Sequence, residues 1–186
     1  MADSPARVCV YCGSGEGHDP EHAALAEALG AALARARVEL VYGGGRIGLM
    51  GRLADAALAH GGTVTGVIPR DLRARELAHN GIHNLIVVDT MHARKEAMAA
   101  RADAFCTLPG GIGTLDETLE ILTWRQLGFH AKPLVAAGPT GFWEPLFALL
   151  AHQRRSGFLP ADTEAIVTHA DSAAGVVRAL GITPAA

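Results

Sequence analysis

Short runs of β-branched residues alternate with Ala- and Leu-rich stretches from one end of the chain to the other. Neighbouring parallel strands need a long crossover between them, and an α-helix usually provides it. Such helices cover both faces of the sheet, so the strands are free to be apolar on both sides. The alternation therefore predicts an α/β fold, a Rossmann-like, doubly wound parallel sheet flanked by helices.

The pattern places seven strands and six helices along the sequence. The strands are predicted at Arg7–Tyr11, Val38–Tyr42, Thr63–Ile68, Asn84–Val88, Ala104–Leu108, Pro133–Ala137 and Ala165–Val167. The helices are predicted at Pro20–Arg35, Gly48–His60, Met91–Arg101, Leu115–Leu127, Trp143–Arg155 and Ser172–Leu180. Gly128 follows one predicted helix and is of the residue type that often ends a helix.

One domain over residues 1–186 is expected. The chain has 186 residues, 49% of them hydrophobic, which is enough for one core of the usual domain size. No linker, repeat or low-complexity tract interrupts a core from about residue 7 to residue 181, and only Thr183–Ala186 resembles a loose tail.

The charge balance and hydropathy exclude two classes of partner. There are 16 Lys and Arg residues and 19 Asp and Glu residues, for a formal net charge of -3. This leaves no broad basic surface for a nucleic-acid backbone, so no nucleic acid is expected as a partner. The N-terminus lacks a basic segment followed by a long apolar run, and no later stretch reaches the roughly 18 apolar residues of a membrane span. A soluble cytoplasmic protein without a membrane partner is expected.

The three cysteines and nine histidines form no recognisable metal site. Cys9 and Cys12 spell C-x-x-C, but residues three apart in a strand point to opposite faces, and no second pair completes a zinc site. His79 and His83 are four apart, but Asn80-Gly81 between them favours a turn over a helix. The odd cysteine count disfavours a disulfide framework and fits a reducing cytoplasm.

Three glycine clusters follow predicted strands, at Gly13-Ser14-Gly15-Glu16-Gly17, Gly43-Gly44-Gly45 and Gly110-Gly111-Ile112-Gly113. The carboxyl ends of parallel strands lie at one edge of a sheet, so all three clusters should meet there. Glycines at that edge let backbone N–H groups approach a phosphate beside a helix N-terminus. Strand-to-helix turns also use glycine for backbone reasons alone, but three clusters together favour a phosphorylated ligand.

The second cluster continues into Gly43-Gly44-Gly45-Arg46-Ile47-Gly48, which satisfies G-x-G-x-x-G between a strand and a helix. A dinucleotide site would also need an acidic residue about 20 positions further on to bind the ribose. Thr63–Pro69 contains none. No G-x-x-x-x-G-K-[ST] motif is present either, so neither a dinucleotide site nor an NTPase is predicted.

The third cluster extends to Pro109-Gly110-Gly111-Ile112-Gly113-Thr114-Leu115-Asp116-Glu117, and Arg94-Lys95 stands upstream of it. With Gly48-Leu49-Met50-Gly51 and Trp124-Arg125-Gln126-Leu127-Gly128, these segments resemble the "lonely guy" family of cytokinin riboside 5′-monophosphate phosphoribohydrolases. That family carries P-G-G-x-G-T-x-x-E and an upstream R-K pair, and its members often bear the label lysine decarboxylase. The resemblance covers most of the chain.

The resemblance implies a hydrolase that cleaves the N-glycosidic bond of adenosine 5′-monophosphate, often N6-modified, to a free base and ribose 5-phosphate, without a cofactor. It implies that Arg94 and Glu117 are the catalytic residues. The residues expected to bind the substrate are Ser14, Gly44, Gly45, Met91, Arg94, Lys95, Gly110, Gly111, Gly113 and Thr114. The family also tends to form homodimers with active sites near the interface. Candidate apolar surface for that contact is provided by Trp124, Phe129 and Trp143.

Several of these residues have a second interpretation. Thr114-x-x-Glu117 fits a capping box, with Thr114 as the N-cap of a helix and Glu117 as its third residue. Arg94 also fits an exposed ion-pairing residue, although the dipole at a predicted helix N-terminus disfavours cations. Met91 and Met98, seven apart on one helical face, fit core packing as well as a substrate contact.

Two other functions stay open from the sequence. A noncatalytic carrier of a nucleotide or a phosphorylated cofactor would use the same glycine loops, but would not need the Arg94 and Glu117 pair. A decarboxylase would need pyridoxal phosphate on a lysine, and the chain has only Lys95 and Lys132.

Overall fold

A computed structural model describes residues 6–73, 77–139, 141–160 and 166–183. Its strands are β1 Arg7–Tyr11, β2 Glu39–Tyr42, β3 Val64–Pro69, β4 Asn84–Val88, β5 Ala104–Thr107, β6 Leu134–Ala137 and β7 Val167–Ala170. They form one sheet in the order β4-β3-β2-β1-β5-β6-β7, and all the pairs are parallel. This is the α/β architecture that the alternation predicts.

Helices cross over between most of these strands and follow the last one. Within the described ranges they are α1 Pro20–Arg35, α2 Gly48–Ala59, α3 Met91–Arg101, α4 Ile112–Gln126, α5 Glu144–Arg155 and α6 Ala173–Ala179. Side-chain oxygens of Asp19, Thr90 and Ser172 accept first-turn N–H groups of α1, α3 and α6, which satisfies donors that a helix leaves unpaired. The predicted limits of α1 and α3 are confirmed.

Two apolar cores form, one on each face of the sheet. Leu29 of α1 belongs to the core that α1, α2 and α6 cover, and Met98 of α3 and Ile121 of α4 belong to the core on the other face. Cys9 and Cys12 lie in different cores, so the two thiols of the C-x-x-C sequence point to opposite faces as predicted.

The order in which strands are added to the sheet reverses between β1 and β5. The chain adds β2, β3 and β4 on one side of β1, and then β5, β6 and β7 on its other side. Open parallel sheets bind ligands in the crevice at such a reversal, outside the carboxyl ends of the strands. Here the Gly13 N–H donates to the Pro109 carbonyl at 3.0 Å, and the Leu49 N–H donates to the Gly13 carbonyl at 3.1 Å. These bonds bring the loops after β1 and β5 and the start of α2 together at one edge.

Two regions differ from the sequence expectations, and one further finding concerns the helices. The last strand lies at Val167–Ala170, later than the predicted Ala165–Val167, and Ala165 is outside the described residues. Trp143 is buried rather than exposed, and its indole N–H donates to the Ala137 carbonyl at 3.0 Å. None of the helices in the described ranges combines the length and apolarity that crossing a bilayer requires.

Candidate active site

A cavity of about 270 Å³ opens at the edge where the glycine loops meet. It lies between the loops after β1, β2 and β5 and the first turns of α3 and α4. Its lining is formed by Val10, Tyr11, Cys12, Gly13, Ser14, Gly43, Met50, Leu72, Met91, Arg94, Met98, Gly111, Ile112, Gly113, Thr114, Asp116 and Glu117. The cavity thus brings together Arg94 and Glu117, which are 23 positions apart in the sequence.

Arg94 enters this cavity from the first turn of α3, which Thr90 caps. The interpretation of Arg94 as an exposed residue is wrong, because only 5% of it is exposed. Its Nη2 donates to the Gly43 carbonyl at 2.9 Å, and its Nη1 contacts the Met91 sulfur at 3.9 Å. A guanidinium group held at a helix N-terminus against the dipole needs compensating partners, and an anionic ligand would add one.

Lys95 turns away from the cavity lining and ties α3 to α4. Its Nζ lies 3.1 Å from the carboxylate oxygens of Asp116 and Glu120. Burial opposes the charged form of Lys95, but hydrogen bonds to the two carboxylates outweigh that effect and raise its pKa. The two residues of the Arg94-Lys95 pair therefore have different positions. Arg94 lines the cavity, and Lys95 joins α3, which carries Arg94, to α4, which carries Glu117.

The helix that carries Glu117 begins earlier than the capping-box interpretation requires. The N-cap of α4 is Gly111, no side chain caps it, and the helix runs from Ile112. Thr114 is therefore a buried residue inside the first turn, and Glu117 lies further along the helix. The capping box is wrong, since the glycines of the loop let the chain enter the helix before Thr114. Glu117 is a partly buried carboxylate on the cavity wall, without a capping role.

The start of α4 presents backbone donors to the cavity. The first N–H groups of an α-helix have no partner inside the helix, and here the N-cap residue, Gly111, makes no side-chain hydrogen bond to them. Gly111 and Gly113 line the cavity, and a Cβ atom added at either glycine would meet nothing within 4 Å. Gly110 is different, because a Cβ atom there would collide with the side chain of Thr114. Gly110 thus allows close packing, whereas Gly111 and Gly113 leave open space.

Gly44 and Gly45, two other predicted ligands of the phosphate, lie beside the cavity and are not among its lining residues. Gly44 has a φ of 77°, and its carbonyl accepts the His79 N–H at 2.9 Å. Gly45 is buried and forms an isolated β-bridge with Ala78. The two glycines attach the β2 loop to the segment that follows the short turn Arg70–Leu72.

Ser14 and Met91 lie where the prediction places them. Ser14 is exposed on the cavity rim, and Met91 is 42% exposed at the start of α3. Met98 is a core residue that also reaches the cavity. Sequence reasoning missed the role of Gly43, whose carbonyl holds Arg94, because a carbonyl partner leaves no mark on residue type.

Burial and nearby charges shift the pKa values of two groups that line the cavity, the Cys12 thiol and the Tyr11 hydroxyl. Burial raises the pKa of the Cys12 thiol, and the negative charge of Glu117 raises it further while Arg94 opposes the rise. Burial also raises the pKa of the Tyr11 hydroxyl, with further contributions from Cys9 and Glu117. Both groups are therefore neutral at physiological pH, so the charges that face the cavity come from Arg94 and the carboxylates of α4. Among the described residues, no group of three or more His, Cys, Asp or Glu side chains is arranged to hold a metal ion.

The fold is similar to that of two molybdenum cofactor proteins. The carrier protein of Chlamydomonas reinhardtii has a TM-score of 0.72 at 23% identity, covering 94% of this chain and 95% of its own. The molybdenum cofactor binding protein of Rippkaea orientalis has a TM-score of 0.70 at 20% identity, covering 97% of this chain and 98% of its own. At these identities the likeness describes the fold alone.

Proteins found by sequence similarity share a larger percentage of identical residues with this chain. A family profile described as "Possible lysine decarboxylase" matches residues 50–180. A cytokinin riboside 5′-monophosphate phosphoribohydrolase of Rhodococcoides fascians is 44% identical over 95% of this chain and 90% of its own length. An enzyme of the same name from Arabidopsis thaliana is 43% identical over 94% of this chain and 80% of its own. The chain therefore belongs to the cytokinin riboside 5′-monophosphate phosphoribohydrolase family.

Proposed function

We propose that this protein hydrolyses the N-glycosidic bond of nucleoside 5′-monophosphates and releases the free base and ribose 5-phosphate. The observation that carries the proposal is one cavity lined by Arg94, Glu117 and the uncapped N-terminus of α4. The relatives are named for a cytokinin riboside 5′-monophosphate, which supports an N6-modified adenosine 5′-monophosphate as the proposed substrate.

The N-terminus of α4 suits the 5′-phosphate. The N-cap residue, Gly111, provides no side-chain hydrogen bond to its first-turn N–H groups, and the helix dipole favours an anion at that end. The glycines allow the phosphate oxygens to approach the backbone closely, since no side chain fills the space at Gly111 or Gly113. Phosphate held there would fix the ribose relative to the carboxylate of Glu117, and binding energy remote from the breaking bond would then contribute to catalysis.

Glu117 suits the chemistry at the ribose. As the bond between C1′ and the base nitrogen breaks, positive charge develops on the sugar ring, and a fixed carboxylate stabilises that charge more in the transition state than in the substrate. Glu117 also suits the orientation or deprotonation of the water whose oxygen bonds to C1′. Asp116 lines the same cavity, but its carboxylate accepts a hydrogen bond from Lys95 at 3.1 Å. Glu117 is partly buried on the cavity wall and is the last residue of the P-G-G-x-G-T-x-x-E motif, so it is the carboxylate proposed to act on the substrate.

Arg94 suits the anionic part of the substrate. Its guanidinium group is buried and is anchored by the Gly43 carbonyl, so its positive charge is held in a fixed position at the cavity. Such a group favours a phosphate or the ribose hydroxyls and keeps a neighbouring carboxylate ionised. Arg94 and Glu117 would then act as a unit, with opposite charges presented to one small cavity.

Chromatography of the products tests the proposal. Adenosine monophosphate, its N6-isopentenyl derivative and adenosine are incubated separately with the enzyme, and free base is measured over time. Both monophosphates should release base, while adenosine should react far more slowly because it lacks the phosphate that positions the ribose. Equal rates with adenosine would contradict the phosphate site. Binding of the monophosphates without any release of base would instead identify a carrier.

The decarboxylase alternative depends on a lysine that can bind pyridoxal phosphate. Neither lysine lines the cavity, since Lys95 pairs with two carboxylates and the Lys132 Nζ donates to the Ala99 carbonyl at 2.9 Å. A protein that shows a pyridoxal absorption band after incubation with the cofactor would favour the decarboxylase. A flat spectrum together with base release would support the hydrolase.

A homodimer is proposed as the assembly. Phe129 is 75% exposed and Leu127 is 61% exposed at the C-terminal end of α4, an apolar surface that a second copy would cover. Light scattering at micromolar concentration should give twice the 19.3 kDa of one chain. A mass near 19.3 kDa would contradict the dimer without affecting the proposed reaction.

A further inference from the structure

A second cavity, of about 660 Å³, lies at the same edge of the sheet but shares no lining residue with the candidate active site. It is lined by Arg46, Arg70, Arg73, Leu77, Ala78 and Asn80. Among the lining residues that the structure describes, three are arginines and none is acidic. In a chain with a formal net charge of -3, this concentration of positive charge is a local feature.

The short 3-10 turn Arg70–Leu72 separates the two cavities. Its end is closed by a hydrogen bond from the Arg73 N–H to the Arg70 carbonyl, at 3.3 Å. With three residues per turn, side chains at positions i and i+3 lie above each other, so Arg70 and Arg73 share a side. Leu72 leaves the turn in another direction and lines the candidate active site. One turn thus presents two arginines to one cavity and a leucine to the other.

A single peptide group fixes Arg46 beside this turn. The Leu77 carbonyl accepts the Arg46 N–H at 3.0 Å, and the N–H of the next residue, Ala78, donates to the Arg73 carbonyl at 2.9 Å. Leu77 has a φ of 46°, a left-handed conformation that leucine rarely adopts and that persists where the surrounding structure imposes it. The backbones of Arg46 and Arg73 are therefore positioned together before any ligand arrives.

The charges of these arginines are only partly compensated. Arg70 lies 3.5 Å from Asp89, and both side chains are largely exposed. In the parts of the chain that the structure describes, neither Arg46 nor Arg73 forms an ion pair. Guanidinium groups bind phosphate oxygens through paired N–H donors. Arg46 and Arg73, which have no ion-pair partner within the described ranges, therefore match a multiply charged phosphate anion.

We propose that Arg46, Arg70 and Arg73 form a binding site for a phosphate-class polyanion, separate from the candidate active site. The anion is free phosphate or pyrophosphate rather than the phosphate chain of a nucleotide in the neighbouring cavity, because the 3-10 turn stands between the two. The site does not depend on the proposed reaction, and its test works whether or not nucleotides are cleaved.

Isothermal titration with inorganic pyrophosphate tests the site in the Glu117→Gln background, which blocks the proposed hydrolysis. The double substitution Arg46→Gln and Arg73→Gln should weaken pyrophosphate binding by at least about tenfold, because two charge-assisted contacts are removed. The matched control is Arg155→Gln with Arg178→Gln, which removes the same charge from exposed positions on α5 and α6. The control should keep its affinity within about twofold, since distant exposed charges are screened by salt.

Three outcomes would overturn the proposal. One is unchanged pyrophosphate affinity after the double substitution, and another is an equal loss in the control, which would indicate a diffuse charge effect. The third is displacement of pyrophosphate by saturating adenosine monophosphate, which would show that the two ligands bind to the same or to overlapping sites. If melting curves show that the double variant does not fold, the single Arg46→Gln variant at an exposed position provides the same comparison.

Discussion

After β2 the chain continues through Gly43-Gly44-Gly45, and after β5 it continues through Gly110-Gly111-Ile112-Gly113. A Cβ atom added at Gly44 would lie 3.2 Å from side-chain atoms of Ile68 and Leu85, whereas one added at Gly113 would meet nothing within 4 Å. The β2 loop therefore uses this glycine to pack against strands, and the β5 loop uses its glycine to leave space beside a helix N-terminus. The same sequence pattern has two physical causes, and only the second favours a ligand directly.

The β2 loop still contributes to the cavity, through a carbonyl group rather than through open space. The Gly43 carbonyl accepts a hydrogen bond from Arg94 at 2.9 Å, and a Cβ atom at Gly43 would collide with the Nη2 atom of the same guanidinium group. The two loops thus have different tasks. The β2 loop holds Arg94, and the β5 loop presents backbone donors and leads into the helix of Glu117.

The largest effect is expected at Glu117, on the side of the β5 loop. Glu117→Gln should lower kcat on the order of 100-fold or more, because an amide cannot stabilise positive charge on the ribose. The melting temperature should change little, since Glu117 does not cap α4. Steady-state kinetics and thermal unfolding measure the two quantities. Glu120→Gln is the matched control on the same helix, and its turnover should stay within a few-fold because Glu120 contacts Lys95 instead of lining the cavity. Retained turnover in a folded Glu117→Gln protein would remove the catalytic role and make Asp116 the next candidate.

Gly43→Ala tests the contribution of the β2 loop and should have the second largest effect. The new methyl group would push the guanidinium group of Arg94 from its place, and Met50 Sδ, 3.0 Å from the added Cβ, limits the room for relaxation. We expect kcat/KM to fall roughly 30-fold, because small displacements of a positioning group can be costly in a preorganised site. Arg94→Ala in the same assay gives the largest loss of kcat/KM that displacement of this side chain could cause. A Gly43→Ala enzyme with normal kcat/KM would show that the position of Arg94 is not critical.

Much of the fold could be predicted from the sequence because its signals are local and repeated. The limits of β1, α1, β4 and α3 agree with the prediction to the residue, and Thr90 supplies the N-cap that starts α3. The start of α4 could not be predicted, because the capping-box pattern at Thr114 and Glu117 competes with the glycine loop, and packing decides between them. The burial of Trp143 depends on tertiary contacts that a single aromatic residue does not reveal.

The candidate site also has features that the sequence predicts and features that only the structure shows. The glycine clusters and the resemblance to the family bring Arg94, Glu117, Gly111, Gly113 and Thr114 to the list of candidates, and the structure places all five on one cavity. The sequence does not show that Lys95, adjacent to Arg94, turns toward α4. Helical geometry separates neighbouring side chains by about 100°, but the packing of α3 against α4 decides which of the two faces α4.

Gly113→Ala sharpens the contrast between the loops at the β5 side. The methyl group would enter the space proposed for the phosphate, so KM for a nucleoside monophosphate should rise about tenfold while the fold gains or keeps stability, because Ala is a better helix residue than Gly. Gly15→Ala is the control, since its added Cβ would also meet nothing within 4 Å but Gly15 does not line the candidate active site. An unchanged KM in Gly113→Ala would indicate that the phosphate binds elsewhere.

Gly44→Ala should have the smallest effect on turnover and a clear effect on stability. Gly44 has a φ of 77°, and an added Cβ would lie 3.2 Å from atoms of Ile68 and Leu85. A left-handed backbone costs a non-glycine residue about 1–2 kcal/mol, so the free energy of unfolding should fall by roughly that amount. Because Gly44 does not line the cavity, kcat/KM measured well below the melting temperature should stay within about threefold. Urea unfolding and kinetics on the same preparation separate the two effects. The resemblance to the family implies the opposite, a phosphate contact at Gly44, and it would be supported by a tenfold or larger rise in KM with unchanged stability. That result would also mean that the β2 and β5 loops use their glycines in the same way after all.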